Sequence, residues 1–120
     1  VSGGRVSSEL VHTVDGAATV AAWVGTGVPP GWDGVSLLPT LENVPHAAYR
    51  EMMICCSSTP GNGDCARSST AKLIDRPGAL LDELYDLVLD PAETVNLLGD
   101  PAYATVESAL RAEIDAFHAR

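Results

Sequence analysis

Positive charge is scarce in this chain. Seven Lys and Arg stand against 16 Asp and Glu in 120 residues, a net charge of -9. Between Asp82 and Asp115 the only base is Arg111. Phosphate backbones and anionic bilayers attract clustered cations, so the composition argues against nucleic acid and against a charged membrane surface as partners. The plain reading of the acidic stretch is a solvated face.

Other absences narrow the field further. No apolar run approaches the length of a membrane span. No basic-then-apolar leader opens the chain, and Val1 stands where a Met would start it. That opening is expected of a cut product or a fragment. Aromatic residues are only 5% of the total, so burial must rest on Leu, Val and Ala, and Ala brings little apolar area. Three cysteines, Cys55, Cys56 and Cys65, have no zinc spacing. One of the adjacent pair could bond Cys65 across a hairpin, and the odd count leaves one free. Buried reduced thiols are the simpler expectation, and the redox compartment stays open.

What remains is a globular composition, 46% hydrophobic and 19% charged, in a chain long enough for one domain with a modest core. Ser7 to Val14 reads as a short strand. Asp15 is placed to cap a helix through Ala17, Val20, Ala21 and Val24, which Gly25 and Gly27 stop. Ser36 caps a short helical turn around Leu37, Leu38 and Leu41. Strands are expected over Glu51 to Cys56, Cys65 to Ser68, Ala71 to Asp75 and Glu83 to Leu89. Ser57 to Asp64 has the composition of an exposed loop, and Arg76-Pro77-Gly78 that of a turn.

Asp90-Pro91-Ala92-Glu93 has the form of a helix start, with Glu93 placed to reach back to the cap, and a short turn is expected to follow, ending near Gly99. Asp100-Pro101 repeats that signal. Tyr103, Val106, Leu110, Ile114 and Phe117 recur at helical spacing, which predicts one long final helix with an apolar stripe. The fold class is α+β: a small antiparallel sheet of three to four strands packed by the C-terminal helix. A strand and helices precede it that belong beside something else.

Three blocks go beyond periodicity. The first is Glu83-Leu84-Tyr85-Asp86-Leu87, then Asp90-Pro91, Glu93 and Asn96-Leu97. The second is Arg67 with Lys72-Leu73-Ile74. The third is Val14-Asp15 and Thr19, then Asp33-Gly34-Val35-Ser36-Leu37-Leu38-Pro39. In this order and at these spacings they resemble the C-terminal portion of the arylsulfatase-like sulfatase family, within the alkaline phosphatase superfamily. The resemblance runs from about Arg5 to the C-terminus and is weakest over Glu42 to Asp64. Three positions depart from the family pattern. Ala71 stands where an aromatic usually precedes Lys72, Ala18 where a Pro precedes Thr19, and Gly16 where a large apolar residue is usual.

The resemblance implies a division of the chain. Residues 1–42 would be the end of the main α/β sulfatase domain, and residues 43–120 the C-terminal subdomain. It also implies where the chemistry is not. Sulfatases of this type work with a formylglycine made from Cys or Ser in Cys/Ser-x-Pro-x-Arg, and with a calcium-type cation held by Asp and Asn. Both are expected only in a full-length member. No Cys or Ser here is followed by x-Pro-x-Arg; Ser58-Thr59-Pro60 has the Pro, but Asn62 stands where Arg should be. No cofactor, metal ligand or catalytic residue is therefore expected in this chain, which alone would be inactive.

Most matched residues have a structural duty at hand: Asp90 and Ser36 as caps, Asn96 satisfying backbone, Tyr85 with a buried ring and an edge hydroxyl. His12, His46 and His118 share no ligand spacing. Asp82, Glu83 and Asp86 do not form a calcium loop, and Ser57 and Ser58 lack a nucleophile elbow. His12 is the one outside candidate, for the substrate rim. It closes the first predicted strand, where the chain could approach the main domain's cleft.

Three functions compete on this reading. One is the tail of a sulfuric ester hydrolase, which completes the fold and walls the cleft, with the missing N-terminal sulfatase domain as its partner. The second is a stand-alone binding or interaction module derived from such a tail. The third is an inactive remnant that folds poorly. A tail should carry an exposed apolar patch on Val20, Trp23, Val24 and Leu38.

Overall fold

The computed structural model describes residues 3, 4, 6–56, 63–76, 78 and 81–119, with the side chain of Cys56 left aside. Residues 57–62 of the loop expected over Ser57 to Asp64, Arg5, Pro77 and the Ser58–Asn62 departure from the sulfatase motif lie outside the described residues, while Asp64 belongs to a strand and not to the loop. The chain divides into two compact units, Val1–Arg50 and Glu51–Arg120.

The first unit is helical. Helix α1 spans Val14–Trp23 and is rich in Ala, the best helix former. It ends where Gly25 takes a left-handed φ of +82°, and Thr26 Oγ1 donates to the Ala21 carbonyl at 2.8 Å. Helix α2 spans Leu38–Glu42 with Pro39 in its first turn, where a missing N–H costs nothing. Ser36 Oγ accepts from the Leu38 N–H at 3.3 Å, but Leu37 holds the N-cap position and no side chain caps the helix, so Ser36, the expected cap, stands one residue before that position.

Two further expectations for this unit are corrected. Ser7 to Val14 is not a strand: residues 7–12 make no ladder, Thr13 is already in the helical region, and Val14 belongs to α1. A strand is defined by its hydrogen-bonded neighbour, and all four strands among the described residues belong to the second unit. Nor is Asp15 the N-cap of α1. Thr13 holds that position, and Asp15 lies inside the first turn with no exposure at all.

The second unit is a four-stranded antiparallel sheet in the order β1 (Met52–Cys56), β2 (Asp64–Ser68), β3 (Ala71–Asp75), β4 (Glu83–Asp86). The register is continuous: Ile54 faces Ala66, Ala66 faces Leu73, and Leu73 faces Leu84. Directly opposed residues share a face of the sheet, so these four form one row across it. A 3₁₀ turn, Pro101–Tyr103, leads into α3, Ala104–His118. Asp100 accepts from the Ala102 N–H at 2.9 Å and starts it as expected. Leu110 and Ile114 of α3 close on Ala66, Ala71, Leu73 and Leu84 to make the core. Met52, Ile54, Leu97, Leu98 and Tyr103 pack around its rim. Leu73, Leu84 and Leu110 are the largest fully buried apolar side chains among the described residues. Each contributes about 1.5–3 kcal/mol of transfer free energy. Val106 and Phe117, two residues of the expected stripe, stay 36% and 40% exposed.

The sequence overshot twice here. Strand β4 stops at Asp86 and not at Leu89, because the Asp86 carboxylate accepts from the N–H groups of Val88 and Leu89, both at 2.9 Å, and turns the chain. The segment after Asp90 is a series of turns up to Gly99, and the helix-start signal opens no helix there. Asp90 does bind free N–H groups, those of Thr94 and Val95 at 2.6 and 2.8 Å. Glu93 does not reach back to it. Its own N–H donates to the Asp90 carbonyl, its φ is +55°, and its carboxylate goes to Lys72.

Candidate functional site

The most concentrated polar arrangement in the first unit is built on Asp15. Its Oδ2 accepts from the His12 N–H at 2.7 Å and its Oδ1 from the Val35 N–H at 3.0 Å. Arg50 adds a fork: Nη1 to Oδ2 at 2.6 Å and Nη2 to Oδ1 at 2.8 Å. Burial alone pushes the carboxyl up. The Arg50 hydrogen bond and the two backbone donors outweigh burial and bring it down to about 2.

One helical turn further on, Thr19 repeats the pattern. Its Oγ1 donates to the Asp15 carbonyl at 2.7 Å and accepts from the Leu37 N–H at 2.9 Å. The spacing has a geometric cause. Four residues of helix rise about 6 Å, and two residues of extended chain advance about 6.6 Å. Asp15 and Thr19 on one face of α1 therefore meet Val35 and Leu37 on the segment beside it. That segment lies close: a Cβ on Gly34 would run into the Val14 carbonyl and sit 3.3 Å from the Ala18 Cβ. Asp15, Thr19, Gly34 and Leu37 all belong to the third sequence block, and each holds two pieces of backbone together. Ala18, where Pro is usual, is fully buried in this packing.

A second cluster centres on Thr40. Its Oγ1 donates to Glu9 Oε2 at 2.6 Å, with His46 Nε2 at 3.0 Å and the Tyr49 hydroxyl at 2.8 Å. His46 Nδ1 donates to the Ala47 carbonyl at 2.7 Å, and its ring stacks on Tyr49 at 4.6 Å. This cluster borders an open hollow of about 820 Å³ lined by Ser7, Glu9, Pro39, Thr40, Val44 and His46.

In the second unit the polar residues serve the sheet. Asn96 Oδ1 accepts from the Leu84 and Leu98 N–H groups at 2.9 and 3.0 Å, and its Nδ2 donates to the Asp82 carbonyl at 3.0 Å. Lys72 pairs with Glu93 at 2.6 Å and Arg76 with Glu83 at 2.9 Å. Tyr85 donates its hydroxyl to Glu83 at 3.0 Å, an edge position as expected. Arg111 gathers Asp82 at 2.8 Å, Glu107 at 3.0 Å and Asp75 at 3.9 Å. The Arg76 N–H, against burial, and then Arg111 hold Asp82 below the usual carboxylate range. Burial, then the charge of Asp82, pushes Asp75 up.

The histidines are not gathered into one site. His12 donates its N–H to Asp15 and offers Nδ1 to the Val14 N–H at 3.5 Å, at the start of α1. His46 belongs to the Thr40 cluster, and His118 pairs with Asp64 at 2.7 Å. Asp82, Glu83 and Asp86 do not converge either. Asp82 and Glu83 turn to Arg76 and Arg111, while Asp86 serves backbone and the Tyr103 hydroxyl. Among the described residues no group of three His, Cys, Asp or Glu is placed to hold a metal ion. No helix is long and apolar enough to cross a membrane.

Sequence reasoning missed Arg50 as the partner of Asp15 and Lys72 as the partner of Glu93. A signal existed for the first. A fully buried carboxylate needs a cation, and bases are few in this chain.

No family model matches the sequence. Solved structures do. A candidate sulfatase from Bacteroides thetaiotaomicron aligns at 28% identity and a TM-score of 0.73, over 82% of this chain and 22% of its own. A 2-O GAG sulfatase aligns with the same identity, TM-score and coverage. A phosphonate monoester hydrolase of Agrobacterium radiobacter shares the fold at 24% identity and a TM-score of 0.65, over 88% of this chain and 24% of its own. The chain thus spans less than a quarter of the proteins it matches. The likeness read from the ELYDL, DPxExxNL and VD…DGxSLxP positions recurs in three dimensions: over about four fifths of its length this chain has the fold of sulfatases of known structure.

Proposed function

We propose that this chain is the C-terminal portion of a sulfatase-like sulfuric ester hydrolase, where it completes the fold and walls the cleft while the nucleophile and metal ligands come from the N-terminal domain. The observation that carries this reading is the outward face of α1. Asp15 and Ala18 turn inward, and Val20, Trp23 and Val24 on the opposite side are 56%, 76% and 65% exposed. Of the four residues expected in the patch, only Leu38 is partly covered. A helix apolar on both sides is normally buried on both sides. An independent module would carry polar residues there. The coverage of 22% of the sulfatase chains supports the same reading. A sulfuric ester is preferred over a phosphonate because the ELYDL and DPxExxNL pattern resembles sulfatases more, and two sulfatases align at 28% identity against 24% for the Agrobacterium phosphonate hydrolase.

On this reading residues 1–42 are the end of the main domain and 43–120 the C-terminal subdomain. Formylglycine and calcium belong to the full-length enzyme. His12, at the start of α1, is proposed for the substrate rim. Its test is His12→Ala in the complete enzyme, where unchanged turnover and affinity would remove it.

The first experiment is the intact mass and N-terminal sequence of the natural gene product. An N-terminal extension of domain size containing Cys/Ser-x-Pro-x-Arg supports the reading. A product that begins at Val1 overturns it. A second test uses Val20→Ser with Trp23→Ser. In the isolated chain the pair should improve solubility without lowering stability, and in the full enzyme it should lower the melting temperature. Loss of stability in the isolated chain would show that the patch is already covered.

A further inference from the structure

Cys55 and Cys65 are direct partners in the register of β1 and β2, while Cys56 stands opposite Asp64. Opposed residues of antiparallel strands share a face, with Cα atoms about 4.5–5.5 Å apart. A disulfide needs Cα atoms about 4.4–6.8 Å apart and Cβ atoms on the same side. We propose that Cys55 and Cys65 form a cross-strand disulfide site, closed by exchange with a small-molecule disulfide of the glutathione class. The sequence left Cys55 and Cys56 equivalent as partners for Cys65; the register selects Cys55.

The two thiols differ in access. Cys55 is exposed, and Cys65 is partly covered. Burial and then the neighbouring Cys55 hold the Cys65 thiol up at about 11, in a setting that also includes Lys72, Arg67 and Glu93. Cys55 is therefore the entry point. Its thiolate attacks oxidised glutathione, a mixed disulfide forms, and one glutathione thiolate leaves. Cys65 then loses its proton to solvent and attacks the Cys55 sulfur, and the second glutathione leaves as thiolate. The protein gives up two electrons and two protons, and one glutathione disulfide becomes two thiols. The bond would tie β1, an edge strand of the sheet, to β2.

The test incubates the full chain with oxidised glutathione at mildly alkaline pH, followed by intact mass and peptide mapping. The expected product has lost two hydrogens and carries no glutathione, and dithiothreitol reverses it. Cys56→Ser should give the same internal bond. Cys55→Ser should give none and retain glutathione as an adduct. Circular dichroism on both variants checks that the sheet is intact. Wild-type chain that only accumulates glutathione, or a bond that survives Cys55→Ser and disappears in Cys56→Ser, overturns the proposal.

Discussion

Arg50 grips Asp15 with both ends of its guanidinium, at 2.6 and 2.8 Å, although 35 residues separate them. Asp15 has no exposure, and the Arg50 side chain keeps only 18%. In such a pair the desolvation cost is large, and removing one partner strands the other charge. Arg50→Met should therefore destabilise the first unit by about 3–5 kcal/mol. Both tryptophans of the chain, Trp23 and Trp32, lie in that unit, so tryptophan fluorescence in urea isolates the effect. A loss below about 1 kcal/mol would mean that water, and not Arg50, satisfies Asp15.

The same carboxyl sets a pH dependence. Its folded value, about 2, lies below the ordinary one, so its stabilisation is present above about pH 4 and is lost as pH falls through 2. The size at neutral pH is on the order of 2 kcal/mol. Against Asp15→Asn, the wild-type advantage in tryptophan-monitored stability should shrink between about pH 4 and pH 2. A constant difference across that window would refute the assignment.

Gly34 is required by proximity, not by an unusual φ. A methyl group there would meet the Val14 carbonyl and press on Ala18. Gly34→Ala must push the segment off α1, and the hydrogen bonds of Val35 to Asp15 and Leu37 to Thr19 go with it. A loss of about 2 kcal/mol or more is expected, again read by tryptophan fluorescence. The far-UV signal of α3, in the other unit, should keep its own midpoint.

Glu93 sets two small effects against each other. Its φ of +55° costs about 1 kcal/mol in a non-glycine residue, and its ion pair with Lys72, roughly a quarter exposed on each side, returns less than about 1 kcal/mol. Glu93→Gly should leave stability within about 0.5 kcal/mol of wild type, while Glu93→Val, which loses the pair and adds the strain of a β-branched residue at positive φ, should cost more than about 1 kcal/mol. Thermal unfolding followed at the helix signal compares the two. A large loss in Glu93→Gly would mean that the ion pair dominates.

Local pattern was enough for much of the architecture. Strand β3 falls on Ala71–Asp75 as read from the sequence, because alternation over five residues between clear turn signals has one solution. The final helix follows from an apolar stripe at helical spacing, and α2 from Ser36 ahead of Leu38-Pro39. The likeness to sulfatases rested on residue identities in three blocks, taken in order and at family spacings. The strand expected over Ser7 to Val14 failed because a strand exists only with a neighbour, and none is written into those residues. Asp86 and Asp90 were read as continuing a strand and opening a helix, whereas each carboxylate folds its own turn.

What the sequence determined by itself is everything set by neighbours within a few residues: the period of each element, most of its stops, and the order of the blocks. The destinations of long side chains were decided only in the tertiary structure. Nothing local joins Arg50 to Asp15, Lys72 to Glu93, or Cys65 to Cys55 in preference to Cys56. Those choices arise when the register of the sheet and the approach of Val35 and Leu37 to α1 bring distant groups within 3 Å, where a buried charge finds its partner and a backbone N–H its acceptor.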